Sequence, residues 1–321
     1  MDENYPDSMS GYLMDQSVAI AESTTFETIS TFCNQSLSMG LENESKLCND
    51  PMEEMNEIEE VAKILSIIVP ILFGIIVIVG LFGNALVVIV VACNPQMRST
   101  TNLLIINLAI ADLLFIVFCV PFTAWDYAFP FWPFGNVWCK IVQYLIVVCA
   151  YASIYTLVLM SLDRYLAVAH PIQSMSIRTE RNAYLAIFMM WITIIVACIP
   201  ALISHSVISF EGSEDSVCLF ADEEYNKSLY QICFFLSSYV IPISIILILY
   251  VLMLKRLWFG VVPGGHMSAE SVRSKKRVTR MVVVVVIIFA CSWCPIQAIL
   301  VLKSFGHYEI DTTKLIIQIA A

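Results

Sequence analysis

Charge is what this chain of 321 residues has least of: 14% of its residues are Asp, Glu, Lys or Arg, 59% are apolar, and the mean hydropathy is +0.80. Soluble domains carry about 25% charged and roughly 45–50% apolar residues, so a water-soluble globule is excluded. A large basic domain is missing too. With a net charge of −10 the chain is not built to bind nucleic acid, which needs many Lys and Arg against phosphate. The 11 cysteines and 4 histidines show no spacing of metal-site type. No repeat with a period of 20–50 residues and no low-complexity tract is visible. No apolar segment follows a basic amino terminus, so a cleaved leader is not expected and the first apolar span would act as the export signal.

The charge that is present is unevenly placed. Residues 1–60 hold 14 Asp and Glu against the single Lys46, while the rest of the chain holds 16 basic and 13 acidic residues. Residues 1–60 therefore read as an acidic, disordered, extracellular tail and residues 61–321 as a membrane domain. A bilayer core needs roughly 20 apolar helical residues, and such stretches occur at about 64–92, 101–124, 141–168, 184–204, 229–254 and 279–303. A seventh apolar run begins near Thr312 and reaches Ala321. These segments are too long for barrel strands of about ten residues, so the expected fold is all-α. The loops after spans one, three and five carry Arg98, Arg178, Arg181, Lys255, Arg256, Arg273, Lys275, Lys276, Arg277 and Arg280. The alternate loops carry acids, among them Glu211, Glu214, Asp215, Asp222, Glu223 and Glu224. Positive loops stay in the cytoplasm, which puts the amino terminus outside. The glycosylation sequons at Asn34, Asn43 and Asn226 all fall on that outer side,. Cys139 and Cys218 fall there as well, in an oxidising compartment, and for Cys33 and Cys48 both pairing and free thiols stay open. The remaining cysteines read as small apolar side chains in or beside spans.

Short motifs sit at matching depths in these spans. Span one holds Gly83-Asn84 and span two holds Asn107-Leu108-Ala109-Ile110-Ala111-Asp112. Asp163-Arg164-Tyr165 closes span three, Trp191 lies in span four, Pro242 and Tyr250 in span five, and Trp293-Cys294-Pro295 in span six. In this order they resemble the rhodopsin-like (class A) G-protein-coupled receptors over residues 64–321. The strings at Trp132-Pro133-Phe134-Gly135, SLDRYLAVAHPI, WFGVVPGGHMSAES and SWCPIQAILVLKSFG resemble one subgroup, the insect allatostatin-A receptors, neuropeptide receptors related to the galanin receptors. The fold implied is a bundle of seven transmembrane helices, here stopping early in the seventh. The family's Asn-Pro-x-x-Tyr motif is not reached, so a truncated, non-signalling decoy or dimer partner is a competing reading. A receptor for another galanin-like peptide is a second. A transporter is disfavoured by the lack of intramembrane charge pairs and inverted repeats.

The resemblance implies roles residue by residue. Cys139 and Cys218 would form a disulfide closing a loop of about eighty residues, contributing roughly 4 kcal/mol by chain entropy. Asp112 lies roughly 16 Å into its span at 1.5 Å per residue, where an ionisable group signals function. It would hold an allosteric sodium ion with Ser153, with Asn84 hydrogen-bonded close by. A protonated Asp112 bonded to Asn84 without an ion is the alternative. No other cofactor and no enzymatic activity are implied. Arg164 would pair with Asp163 at rest and swing to the G protein on activation, flanked by Tyr165. At the foot of span six, Thr279 stands in a stretch without the acid that many relatives use to restrain this Arg. Ile154, Pro242 and Phe289 match a three-way packing switch, extended by Tyr250 and by Trp293 above the kink expected at Pro295.

The implied ligand is an amidated neuropeptide outside the cell, with heterotrimeric G protein and membrane lipid as the other partners. Ile146 occupies the place where amine receptors carry an acid, which disfavours a monoamine. The acidic outer surface would steer a basic or amidated peptide. Candidate contacts by depth are Trp125, Asp126, Gln143, Ile146, Trp293, Gln297, Leu300, Phe305 and His307.

Overall fold

The computed structural model describes residues 42–97, 99–129, 131–209, 216–220, 226–259 and 269–304. Asn34, Cys33, the acids at 211–215 and 222–224, Phe305, His307 and the run from Thr312 lie outside the described residues. So do the side chains of Asn43, Cys48, Thr279 and Phe289.

The helices in chain order are α1 (Glu42–Cys93), α2 (Thr100–Phe118), α3 (Val120–Ala128), α4 (Gly135–Ala169), α5 (Pro171–Ile177), α6 (Glu180–Ala197) and α7 (Ile199–Ile203). A hairpin of β1 (His205–Ser209) and β2 (Ser216–Phe220) follows, then α8 (Lys227–Phe235), a π turn (Leu236–Val240), α9 (Ile241–Phe259) and α10 (Ala269–Ser304). Five segments are long and apolar enough to cross a bilayer: Ile67–Cys93, Thr100–Asp126, Gly135–Ala169, Glu180–Ile203 and Ser228–Arg256. They fall on the first five expected spans. The apolar stretch Val286–Leu302 of α10 falls on the sixth. α1 starts at Glu42, inside the segment expected to be a disordered tail. Glu, Met, Leu and Lys there are good helix formers, and the apolar helix beyond them supplies the nucleus.

Local chemistry sets the other boundaries. Ser99, Thr179 and Asn226 each accept a backbone N–H of the first turn and so cap α2, α6 and α8,. Pro121 and Pro200, which have no N–H to donate, stand in the first turns of α3 and α7 and divide spans two and four into paired helices.

Span three is the axis of the bundle, packing against spans two, four, five and six. Three apolar clusters lie along it: Trp132, Val142 and the Cys139–Cys218 pair at one end, Ala111, Val148, Ala152 and Ile194 in the middle, and Leu157, Met160, Ile246, Tyr250 and Met253 at the other. Span one packs mainly on α2 and α3, and Ile67, Ile71 and Phe82 face outwards. Apolar side chains pointing out suit a lipid solvent, where association depends on close packing. Gly80 shows that packing: a Cβ there would collide with the Ile116 side chain of span two.

Candidate functional site

Functional side chains gather at three depths along span three. At the first, Cys139 and Cys218 are bridged, with Cα atoms 5.6 Å apart. The bridge ties the hairpin to the start of α4. Val207, opposite Cys218 in the hairpin, donates its N–H to Asn136 Oδ1 at 3.0 Å. Ser216 is joined to Trp132 twice, by its carbonyl and by its hydroxyl. Trp132 Nε1 in turn donates to the Gly135 carbonyl at 3.1 Å. Gly135 has φ of 78°, the left-handed region in which a Cβ is penalised,. Phe122, Trp125, Trp132, Phe134 and Trp138 cluster beside it through four edge-to-face contacts with centroids 5.0–5.3 Å apart and one tilted contact, Phe122–Trp132, at 6.3 Å. Of the expected ligand contacts, Trp125, Gln143 and Ile146 meet at this end. Trp125 belongs to the ring cluster, Gln143 Nε2 lies 4.0 Å from Cys218 Sγ, and Ile146 packs on the bridge. Asp126 follows Trp125 on α3, half-buried.

At mid-depth, Ser153 donates to Asp112 Oδ1 at 3.1 Å, the expected pair of oxygens from spans two and three. The Asn84 amide donates to the Gly80 carbonyl of its own helix at 3.0 Å, and not to Asp112 as in the alternative without an ion. The side chain bends back because the i−4 carbonyl lies directly beneath it on the same helix face. Beside this pair, Trp191 Nε1 donates to Asn107 Oδ1 at 2.8 Å and Asn107 Nδ2 donates to Thr156 Oγ1 at 2.7 Å, joining spans four, two and three.

Span five is distorted at the same level. Ile241 N–H reaches back five residues to the Leu236 carbonyl, and the next residue, Pro242, has no N–H. The Ser237 carbonyl thus lacks a donor in this register, and Tyr155 of span three supplies one at 3.0 Å. Tyr151 and Ser237 hydroxyls are 2.6 Å apart. The turn also holds span six: Gln297 Nε2 donates to Ser238 Oγ at 3.2 Å and Tyr239 donates to the Ala290 carbonyl at 3.0 Å. Gln297, expected to line a ligand pocket, is fully buried in this tie between spans. Pro242 and Ile154 are buried and Trp293, Pro295 and Leu300 are half-buried.

At the far end the expected Asp163–Arg164 pair is not formed. Asp163 accepts Arg178 Nε at 2.8 Å, Arg178 Nη2 at 3.2 Å, Thr101 Oγ1 at 2.6 Å and Thr100 Oγ1 at 3.0 Å. Adjacent residues on a helix point in directions about 100° apart and do not face each other. Asp163 therefore turns to the start of α2 and the loop after α5. Arg164 Nε and Tyr250 Oη are both buried without a hydrogen-bond partner among the described residues. Tyr165 Oη lies 3.4 Å from His170 Nε2. Below them α5 carries Ile172 and Met175, 85% and 77% exposed, large apolar side chains at the end of a membrane bundle.

Comparison with known proteins matches this arrangement. The family described as "7 transmembrane receptor (rhodopsin family)" matches residues 83–320. The chain belongs to the rhodopsin family of seven-transmembrane receptors. An allatostatin-A receptor from Bombyx mori is 59% identical over 266 residues, covering 82% of this chain and 73% of that protein. Galanin receptor 2a from Danio rerio is 38% identical over 258 residues, covering 80% and 70%, and human galanin receptor type 1 is 35% identical over 255 residues, covering 78% and 72%. The receptor is of the allatostatin and galanin type, a multi-pass membrane protein and not an enzyme.

Several residues of these networks were not legible beforehand. Thr100, Thr101 and Thr156 look like ordinary helix residues, and Tyr151, Tyr155 and Ser237 carry no motif. Tyr151 and Tyr155, four residues apart and so on one face of a helix, were the signal available in the receptor's sequence,.

Proposed function

We propose that the receptor binds an amidated neuropeptide of allatostatin-A type at its disulfide end and activates a heterotrimeric G protein at its Arg164 end. The observation that carries this reading is the 59% identity to a protein named as an allatostatin-A receptor. The disulfide end then lies outside the cell, with the amino terminus and the glycosylation sites, Asn226 among them. The Asn226 Oδ1 caps α8 and leaves its amide nitrogen for a glycan. At this end Trp125, Gln143 and Ile146 offer a peptide aromatic and amide-bonding surface, with the carboxylate of Asp126 next to Trp125 in the chain. At the other end, exposed Ile172 and Met175 of α5, the helix that follows span three, give a partner protein apolar knobs. A guanidinium with an unpartnered Nε gains most by finding a carbonyl acceptor, because an unpaired buried donor costs about 1–3 kcal/mol. Peptide-stimulated nucleotide exchange in membranes tests the reading. Exchange should follow the amidated peptide and fail with its free acid, and Arg164→Ala should abolish exchange with surface delivery retained. Exchange unaffected by Arg164→Ala removes that residue from coupling.

Asp112 and Ser153 fit an alkali cation in part: two oxygens on facing helices, one of them a carboxylate. These two would hold sodium, which supplies the positive charge the buried carboxylate otherwise lacks. Sodium bound to the resting form weakens agonist binding, since a ligand shifts an equilibrium only by its differential affinity.

A further inference from the structure

Spans three, four and five enclose a cleft of about 600 Å³ that none of the networks above explains. Its floor is span three from Val147 to Leu159, twelve helical steps and so about 18 Å of helix,. Span four rests on spans two and three, and its lining residues Met189, Thr193 and Ala197 are exposed, as is Cys233 on span five. The cleft therefore opens sideways, at membrane depth, into the hydrocarbon. Ligand pockets occupy roughly 300–1,000 Å³ and combine apolar walls with a few placed polar groups, and this cleft has that composition. No charged side chain lines it, so a charged headgroup would meet no counter-ion there.

The hydroxyls define the chemistry further. Five line the cleft: Tyr151, Tyr155, Thr193, Tyr230 and Ser237. Ser237 donates to the Cys233 carbonyl, which makes Tyr151 the donor to Ser237 Oγ. Tyr155 donates to the Ser237 carbonyl and Thr193 to the Met189 carbonyl. Four of the five protons are thus engaged within the protein. Beside the π turn, Tyr151 and Tyr155 therefore offer oxygen lone pairs, which accept a hydrogen bond, while Tyr230 is the lining hydroxyl whose proton is not so engaged,. A complementary ligand is apolar along its length, neutral, and carries a hydrogen-bond donor.

We propose that this cleft is a binding site for a neutral lipid alcohol entering from the bilayer, its hydroxyl donating to Tyr151 or Tyr155 beside the π turn. Sterols and monohydroxy glycerides share this chemistry, and the test distinguishes them. Receptor in phosphatidylcholine nanodiscs is labelled with a photoreactive sterol 3-alcohol or a photoreactive diacylglycerol, and cross-linked peptides are mapped. Labelling by at least one probe should concentrate on residues 186–201 and 227–237. Excess unlabelled parent alcohol should reduce it about tenfold, and the matching 3-ketone or acetylated glyceride, which cannot donate, by less than twofold. Ala197→Trp, at an exposed position on the rim, should remove the labelling with the thermal midpoint unchanged. Tyr155→Phe should narrow the gap between alcohol and ketone even if Ala197→Trp expresses poorly. Labelling spread over all lipid-facing helices, or equal competition by alcohol and ketone, overturns the proposal.

Discussion

The two ends of the receptor are built on opposite principles. At the disulfide end the hairpin is tied to its surroundings by paired bonds, the backbone takes a left-handed turn at Gly135, and a covalent bond fixes the hairpin to span three. At the Arg164 end a guanidinium nitrogen and a phenol lie buried without partners among the described residues, and the acid beside them is held by Arg178 and two threonines. One end is fixed; the other keeps unsatisfied donors that a second arrangement can satisfy. A bistable element needs such groups, because only a difference in interactions between two states gives a ligand something to shift.

The sharpest way to break this contrast is at the bridge. Cys139→Ser should cost roughly 4 kcal/mol by the loop-entropy relation and abolish surface delivery, read by antibody labelling of intact cells. Delivery at the normal level would mean that the Trp132–Ser216 and Asn136–Val207 bonds hold the hairpin alone. Asp163→Asn comes next. It weakens four hydrogen bonds to a charged acceptor, and roughly 2 kcal/mol follows for such a group. The expected result is a lower thermal midpoint together with raised peptide-independent nucleotide exchange, and Arg178→Ala should shift both in the same direction by less. A stability loss with basal exchange unchanged would make the Asp163 cluster a plain anchor. Gly135→Ala should cost about 1 kcal/mol, the penalty for a side chain at that φ, seen as a small drop in midpoint with peptide affinity retained. The smallest effect concerns mid-depth. Replacing a bulky organic cation by sodium at fixed ionic strength should lower agonist affinity a few-fold, the constant ionic strength controlling for screening. Asp112→Asn should erase that response, and an identical response in both proteins places the sodium effect elsewhere.

Much of this was readable in advance because membrane spans are encoded in composition. Residues 101–124 and 141–168 fall within the observed segments Thr100–Asp126 and Gly135–Ala169, since a bilayer forbids any other arrangement of an apolar run of that length. Depth singled out Asp112, because an acid in hydrocarbon demands a partner, and the family resemblance supplied Ser153, whose hydroxyl meets it at 3.1 Å. The Asp163 cluster was not legible. Adjacency in sequence suggested Arg164, whereas the helix turns the two side chains apart and a loop fold brings Arg178 back across fifteen residues. Nor was the partner of the Asn84 amide, which is the Gly80 carbonyl of its own helix.

By itself, then, the sequence determined the number, length and lipid-facing character of the described spans, and the residues worth watching at each depth. Hydrophobic runs, prolines and helix caps act locally, and local rules need no knowledge of the partner. Which hydroxyl meets which carbonyl was decided only when spans three, five and six came together. Tyr155 finds the Ser237 carbonyl because Ile241 bonds five residues back and Pro242 has no N–H. The sequence contains that proline, but the orphaned carbonyl and the tyrosine that reaches it exist only in the packed bundle, where a backbone group cut off from water must take the nearest donor.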